Sequence, residues 1–432
     1  MFKRTIGVLC AAAVAFGIAS VLPAEAKILN ANGMIFDMDA KEGYAYLKDF
    51  DDSASEVFIP TKENGLTVWV GFHAFAESKN LTKVRIGNPA VIEDSVFYKC
   101  EALKTVEFVG TQLKEIPRGM FSNCYELEDI GRIPDTVETI GYEAFNWCNK
   151  LKDECFVLPE GLTYISKYAF SDCYQLKNLH IPANVNNIGD LAFYKCWYLE
   201  NITVDPENQH YSAKDNILYE ISQAGGESFL NPNTVIKAGC KVKNVVLPEG
   251  TKWVDSCAFE YCDELESIAF PSSMRRIRAN AFYNCTKLKK VTFSSKVKDL
   301  SVGGSTFEKC TSLKSVTIPK GVTEIGEEAF GYIYNGMIFA PDPDFVINCY
   351  ENSEAHKYAK ANDLKFKFLD DLELGDCDGS KVVNMKDLAM LQRYVNGWDI
   401  PEIHLSAADM NNNEKINMKD ITALQRKING FT

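Results

Sequence analysis

Residues 192–204 read AFYKCWYLENITV, and this stretch decides the fold because the chain repeats its skeleton. A Phe is followed three residues on by Cys and three further on by Leu; a short alternating apolar run then closes the unit. Eight copies keep that order, with Cys100, Cys124, Cys148, Cys173, Cys196, Cys262, Cys285 and Cys310 each three residues after a Phe and three before a Leu. Phe97, Phe121, Phe145, Phe170 and Phe193 lie 24, 24, 25 and 23 residues apart, and Phe259, Phe282 and Phe307 resume at 23 and 25. One such unit cannot bury its own Phe, Cys and Leu, so the units must stack into a continuous core. Copies at Phe75 and Phe330 lack the Cys, as expected of end units.

Each unit has a second limb, read in LPEGLTYIS (158–166), IPANVNNIG (181–189) and IPKGVTEIG (318–326). The Pro cannot continue a ladder, so it ends a short strand before the chain turns back into the next Phe-x-x-Cys. Side chains between the core positions, such as Glu107, His180, Thr203, Thr292 and Thr317, are expected to point outward along one stripe. A second set, Tyr125, Trp147, Tyr174, Trp197 and Tyr198, offers rings that stack on sugars or that cover the turn edges of their own repeats.

Fourteen cysteines suggest a disulfide framework, but one Cys per repeat stacks on its own copies. The chemistry then required is that of a small buried thiol. A CxxC pair is absent, which argues against a metal cluster.

The net charge of −13 and the lack of a basic cluster exclude nucleic acid as a partner. Residues 1–26, MFKRTIGVLCAAAVAFGIASVLPAEA, pair a basic start with an apolar run and an Ala24-Glu25-Ala26 cleavage pattern, so a secretory signal peptide cut before Lys27 is expected. Removing it takes away Lys3, Arg4 and Glu25 and leaves −14 on the mature chain. No later segment reaches the ~18 apolar residues of a membrane span.

The phrase A-F-x-x-C-x-x-L-x-x-(V/I)-x-(I/F)-P resembles the BspA-type, or treponema-type, leucine-rich repeat of secreted bacterial proteins. That resemblance implies a strand-lined mixed α/β solenoid over residues 27–369. Residues 204–221 are similar to the hairpin-like insertion such arrays carry, placing an insertion near 205–250 and accounting for the gap between Phe193 and Phe259. Residues 350–369 are similar to the family's closing helix and strand.

The last 63 residues break the pattern with a pair of twelve-residue stretches, DCDGSKVVNMKD and DMNNNEKINMKD. Asp376, Asp378, Ser380, Asn384 and Asp387 take positions 1, 3, 5, 9 and 12 of the first, with the Val382 carbonyl at position 7. Asp409, Asn411, Asn413, the Lys415 carbonyl, Asn417 and Asp420 repeat the set. Hard oxygens at that stagger are what Ca²⁺ takes from a flexible loop, so two Ca²⁺ ions are expected. Position 6 is Lys381 or Glu414 where Gly is usual, and position 12 is Asp where Glu is usual. A short amphipathic helix is predicted after each loop, with Leu388, Leu391 and Val395, then Ile421, Leu424 and Ile428, on the apolar face; none is predicted before the first loop. Cys377 is expected on the solvent side.

Loop, helix, linker, loop, helix over residues 370–432 resembles a type I dockerin, a small all-α module with two EF-hand-like loops. The resemblance implies that the module docks onto a scaffoldin cohesin of a cellulosome. Carried over position by position, its recognition residues are Met385, Lys386, Gln392 and Arg393 in one half and Met418, Lys419, Gln425 and Arg426 in the other. Because the halves agree, two docking orientations are expected.

Five scattered histidines form no HExxH, and neither G-x-S-x-G nor a phosphate-cradling glycine loop occurs. The expectation is a secreted, extracellular, non-catalytic binding protein that joins a polysaccharide-degrading complex through its dockerin. Its array presents a surface for a plant polysaccharide or a protein. The alternatives are a cellulosomal enzyme or enzyme regulator with its site in the 205–250 insertion, and a cell-to-fibre adhesin.

Overall fold

A computed structural model of the chain describes residues 26–29, 33–39, 41–50, 52, 54–152, 156–221, 232–334, 336, 338–369, 372–398, 403–411, 413 and 415–431. The expected signal peptide up to residue 25, residues 222–231 of the expected insertion, Cys10, Cys155 and Glu414 lie outside the described residues. The chain divides into two compact units, residues 1–242 with 253–264, and residues 243–252 with 265–432.

In the first unit the repeats contribute two kinds of parallel strand, a longer and a shorter. The longer ones, Glu56–Ile59, Lys83–Ile86 and Thr105–Phe108, pair in register, and Asn178–Ile181 pairs with Asn201–Val204. Their alternation buries Val84, Val106, Leu179 and Ile202 and leaves Glu107, His180 and Thr203 exposed. The shorter ones, Glu115–Ile116, Thr139–Ile140, Tyr164–Ile165 and Asn187–Ile188, stack their isoleucines in a second ladder. Between the ladders run the phenylalanines. Phe75, Phe97, Phe121, Phe145, Phe170 and Phe193 stack with centroids 5.1–5.7 Å apart and planes within 18°.

The repeated cysteines are buried free thiols, as expected, but they are more than apolar wedges. Cys124, Cys148, Cys173 and Cys196 each donate their S–H to the carbonyl of Phe97, Phe121, Phe145 and Phe170 at 3.2–3.3 Å. Burial raises the thiols' pKa, that of Cys100 to about 12, which removes the reactive thiolate.

The turn around each phenylalanine is left-handed twice. Residues two before and two after every phenylalanine from Phe75 to Phe193 have φ of 54–63°, and only Gly119 among them is glycine. Each such residue costs about 1–2 kcal/mol. The stacking offsets it: Ser95, Phe97 and Lys99 donate their backbone N–H groups to Arg118, Met120 and Ser122 of the next repeat at 2.8–3.0 Å.

The unit opens on an antiparallel meander, Ala26–Leu29, Met34–Asp39 and Tyr44–Phe50, whose last strand pairs in parallel with Leu66–Val70. The expected insertion is an antiparallel hairpin, Tyr211–Lys214 with Ile217–Ile221. It continues into Pro232–Ala238, which takes the short-ladder place beside Trp253–Val254.

In the second unit Asn244–Val246, Ser267–Phe270 and Lys290–Phe293 continue the longer type of strand, and Arg276–Ile277, Leu300–Val302 and Val322–Ile325 the shorter. Helix α1, Glu354–Ala361, is capped by Ser353, and strand Lys365–Phe368 pairs with Val346–Cys349, as the closing elements were expected to do. The Tyr358 hydroxyl of α1 accepts from Phe330 N and donates to Phe330 O, both at 3.0 Å, so this helix satisfies the backbone of the last repeat.

Beyond the array, helices α2, Met385–Val395, α3, Leu405–Ala408, and α4, Met418–Ile428, enclose a small core of Leu388, Leu391, Ile403, Ala408, Ile421 and Leu424. One expectation is corrected here. Cys377 is completely buried in that core, where its small apolar side chain joins Leu388, Leu391 and Leu424. The expected linker before the second loop carries a helix, α3; at four residues it is too short to show a periodicity.

Candidate functional site

In the first loop Asp376 and Asp387 are fully buried and Asp378 half-buried, and each offers a carboxylate oxygen within 4.8 Å of the others. Asp387 is fixed from both sides: its Oδ1 accepts from Asp378 N at 3.0 Å and its Oδ2 from Asn384 N at 2.9 Å. Asn384 caps α2 in return, accepting from Lys386 N at 2.8 Å. Asp376 Oδ2 accepts from Lys381 N at 2.8 Å, whereas its Oδ1 is buried without a hydrogen-bond partner. The Ser380 side chain and backbone hold the Asp378 carboxyl below its usual pKa. Ser380 Oγ and the Asn384 amide donate to the Val382 carbonyl at 3.4 and 2.8 Å, tying positions 5, 7 and 9 together at the rim.

Position 6 makes its turn without glycine: Lys381 has φ 63° and still delivers its N–H to Asp376. Three carboxylates this close repel by roughly 3 kcal/mol or more per pair at an effective dielectric near 20. A divalent cation reverses that repulsion and supplies the partner that Asp376 Oδ1 needs; the donor set therefore fits a hard cation such as Ca²⁺.

The second loop copies the scaffold with less charge. Asp420 Oδ2 accepts from Asn417 N at 2.9 Å in the same capping box, and Asn417 Nδ2 donates to the Lys415 carbonyl at 3.0 Å. Asp409 Oδ1 accepts from Asn413 N at 3.2 Å, and Asn413 Oδ1 accepts from Lys415 N at 2.9 Å. Asn411, at the place of Asp378, donates its amide to Asp420 Oδ1 at 2.7 Å. To offer its oxygen to a cation this amide must rotate, a step that the first loop does not need.

The expected docking residues stand at the surface. Met385 and Met418 are 57% and 62% exposed, Lys386, Gln392, Arg393, Lys419 and Arg426 are exposed, and Gln425 is half-buried. Sequence reasoning missed Trp398 and Phe431. Each is 64% exposed, each follows a glycine with φ of 73° or 75°, and each donates its N–H to the Arg393 or Arg426 carbonyl. The repeated NGW and NGF after the two helices was the available signal.

On the array, Tyr125, Trp147, Tyr174 and Trp197 are half-buried and packed on one another at 4.9–6.3 Å, leaving Tyr198 as the exposed ring of the set at 56%. Asn123 and Asp172 hold the hydroxyls of Tyr125 and Tyr174, so these rings cover their own turns. Where the copy at Phe121 keeps only a bridge from Thr105 to Asp129, a cavity of about 490 Å³ lies among Asp129, Arg132, Asp135, Val157 and Glu160.

Residues 69–200, 152–237 and 232–337 match the family model described as the BspA type leucine rich repeat region, in six copies. The chain belongs to that family. Residues 374–429 match the dockerin type I domain, so both halves of the expected fold class are established. A leucine rich cell surface protein from Faecalibacterium prausnitzii A2-165 superposes with a TM-score of 0.61 at 25% identity, covering 84% of this chain and 97% of that one. The pneumococcal vaccine antigen PcpA gives 0.56 at 17% identity over 79% and 98%, a likeness of fold alone. No curated protein matches the chain. Among the described residues no helix of the dockerin or of the array is long and apolar enough to cross a membrane.

Proposed function

We propose that this is a secreted, non-catalytic binding protein whose dockerin, once loaded with two Ca²⁺ ions, plugs it into a cohesin of a cellulosome-like complex. In this reading residues 1–26 are a removed signal peptide, residues 27–369 the repeat array with its insertion near 205–250, and residues 370–432 the dockerin. Asp376, Asp378, Ser380, Val382, Asn384 and Asp387 hold one ion; Asp409, Asn411, Asn413, Lys415, Asn417 and Asp420 hold the other. Bound calcium supplies the charge that lets the buried carboxylates coexist and so fixes the two helices. Met385, Lys386, Gln392 and Arg393, or their counterparts Met418, Lys419, Gln425 and Arg426, then meet the cohesin, in either of two orientations.

The observation that carries this reading is the convergence of Asp376, Asp378 and Asp387 with one buried Asp376 oxygen left unpartnered. The test is calorimetric titration of the chain against a panel of cohesins, in calcium and then in chelator. Calcium-dependent binding is expected; binding that survives the chelator, or none to any cohesin, overturns it. Replacing Met385 and Lys386 alone should leave binding intact, because the second face compensates.

The array then serves as a surface for a plant polysaccharide or a protein, with the exposed strand stripe and the cavity beside Arg132 as its places of contact. The likeness to a cell surface protein favours a second reading, attachment of cells to fibre. Cells with and without the gene, compared for fibre attachment, separate the two.

A further inference from the structure

The array and the dockerin meet at a carboxylate. Glu351 follows the strand Val346–Cys349 of the array, and its side chain is 2% exposed. A carboxylate so buried needs donors, and two come from Ser406 of the dockerin. Ser406 donates its N–H to Oε1 at 3.0 Å and its hydroxyl to Oε2 at 2.8 Å, and His404 Nδ1 packs 3.3 Å from Oε2 without a hydrogen bond. The side chain of His404, which precedes α3, does not cap that helix, so Glu351 stands in for a local cap. Asn352, turned by a φ of 61°, adds a bond from its Nδ2 to the Ile403 carbonyl at 3.2 Å. Ile403 is itself part of the dockerin core.

His404 carries the contact onward. Its N–H donates to the Cys377 carbonyl at 3.0 Å, between Asp376 and Asp378 in sequence. Its ring lies so close to Gly379 that a Cβ there would stand 2.6 Å from Nε2. A continuous path therefore runs from Glu351 through His404 to the backbone of the first loop. The clamp adjoins the second loop as well, because Ser406 lies in α3 and Asp409, the first residue of that loop, donates its N–H to the Leu405 carbonyl at 3.1 Å. Of the residues expected to meet a cohesin, all but the half-buried Gln425 stay exposed.

We propose that the array clamps its own dockerin through Glu351, and that the clamp and calcium in the first loop reinforce one another. The dockerin is thereby presented in one fixed orientation, not on a free tether. The coupling rests on the reading that the loops take calcium; the clamp itself does not.

The test uses the full chain and two variants, Glu351→Ala and Ser406→Ala, the second sparing the array. Nuclear relaxation of backbone amides in α2 and α4 reports whether the dockerin tumbles with the array. Chelator-competed calcium titration reports each loop's affinity. In the calcium-loaded wild type the dockerin should share the array's slow tumbling, and Glu351→Ala should release it. The first loop should weaken by about tenfold, as expected when a buried hydrogen-bonded carboxylate is lost. Ser406→Ala should move both readouts the same way by less. Independent tumbling in the wild type overturns the clamp. Equal affinities in wild type and Glu351→Ala overturn the coupling. Failure of either loop to take calcium overturns the metal reading while the tumbling measurement still decides the clamp.

Discussion

The array and the dockerin both bury polar groups, and they satisfy them by opposite means. In the array the repeated partner is the neighbouring turn. Cysteine thiols bond to the carbonyls of the preceding repeat, and buried Asn208 donates to Pro182 O and Val185 O while accepting from His210 N and Tyr211 N. In the dockerin the buried groups are acidic: Asp376, Asp387, Asp409 and Asp420 all lie at 8% exposure or less. Backbone N–H groups meet part of their demand, but three carboxylates still face one another in the first loop. Repetition lets the array answer its thiols turn by turn, whereas the first loop leaves a cluster of carboxylates whose demand its own backbone does not meet.

Calcium removal should break the comparison open with the largest effect. In excess chelator, amide exchange in α2 and α4 should rise toward that of an unfolded chain, while amides of the phenylalanine turns, such as Phe97 and Phe121, stay protected. Equal protection with and without calcium would mean that the seven-residue core around Leu391 and Leu424 holds the module alone.

Next in size is damage to the array. Phe145 is fully buried and stacks on Phe121 and Phe170 at 5.4 Å, so Phe145→Ala should cost about 3–5 kcal/mol. Because stability in such arrays is shared between neighbours, the loss should appear as a lower thermal midpoint of the array with calcium affinity unchanged. A drop in calcium affinity of similar size would mean that array and dockerin fold as one unit.

Much of this architecture was legible because the array writes its contacts into its period. Phe-x-x-Cys-x-x-Leu fixed which side chains face inward, and the staggered Asp and Asn residues marked the loops. What stayed hidden has physical reasons. The left-handed turns fall on Glu143, Trp147 and Lys195, residue types that advertise no such conformation; inter-repeat hydrogen bonds impose it. The N-terminal meander was readable in the alternation of Met34, Phe36 and Met38, all buried, yet it has no repeat to align with. Cys377 was misplaced because a loop position reads as exposed until the helices around it are packed. The Glu351 clamp joins residues 55 apart through one side chain, and no local pattern foretells such a contact.

The smallest effect concerns the surface rungs. Lys150 reaches Glu126 at 2.7 Å and Lys114 reaches Glu138 at 2.5 Å, each bridging two repeats, and similar pairs recur at Arg85–Glu107 and Lys289–Glu266. Their regularity invites the view that charge holds the repeats together. Both partners are largely exposed, however, and an exposed pair is worth under about 1 kcal/mol and is screened by salt. Lys150→Gln should therefore lower the unfolding free energy by no more than about 0.5 kcal/mol, and the difference should vanish in 1 M salt. A loss several times larger that persists in salt would place the array's cohesion on its surface; the expected outcome leaves it with the phenylalanine stack and the backbone bonds of its left-handed turns.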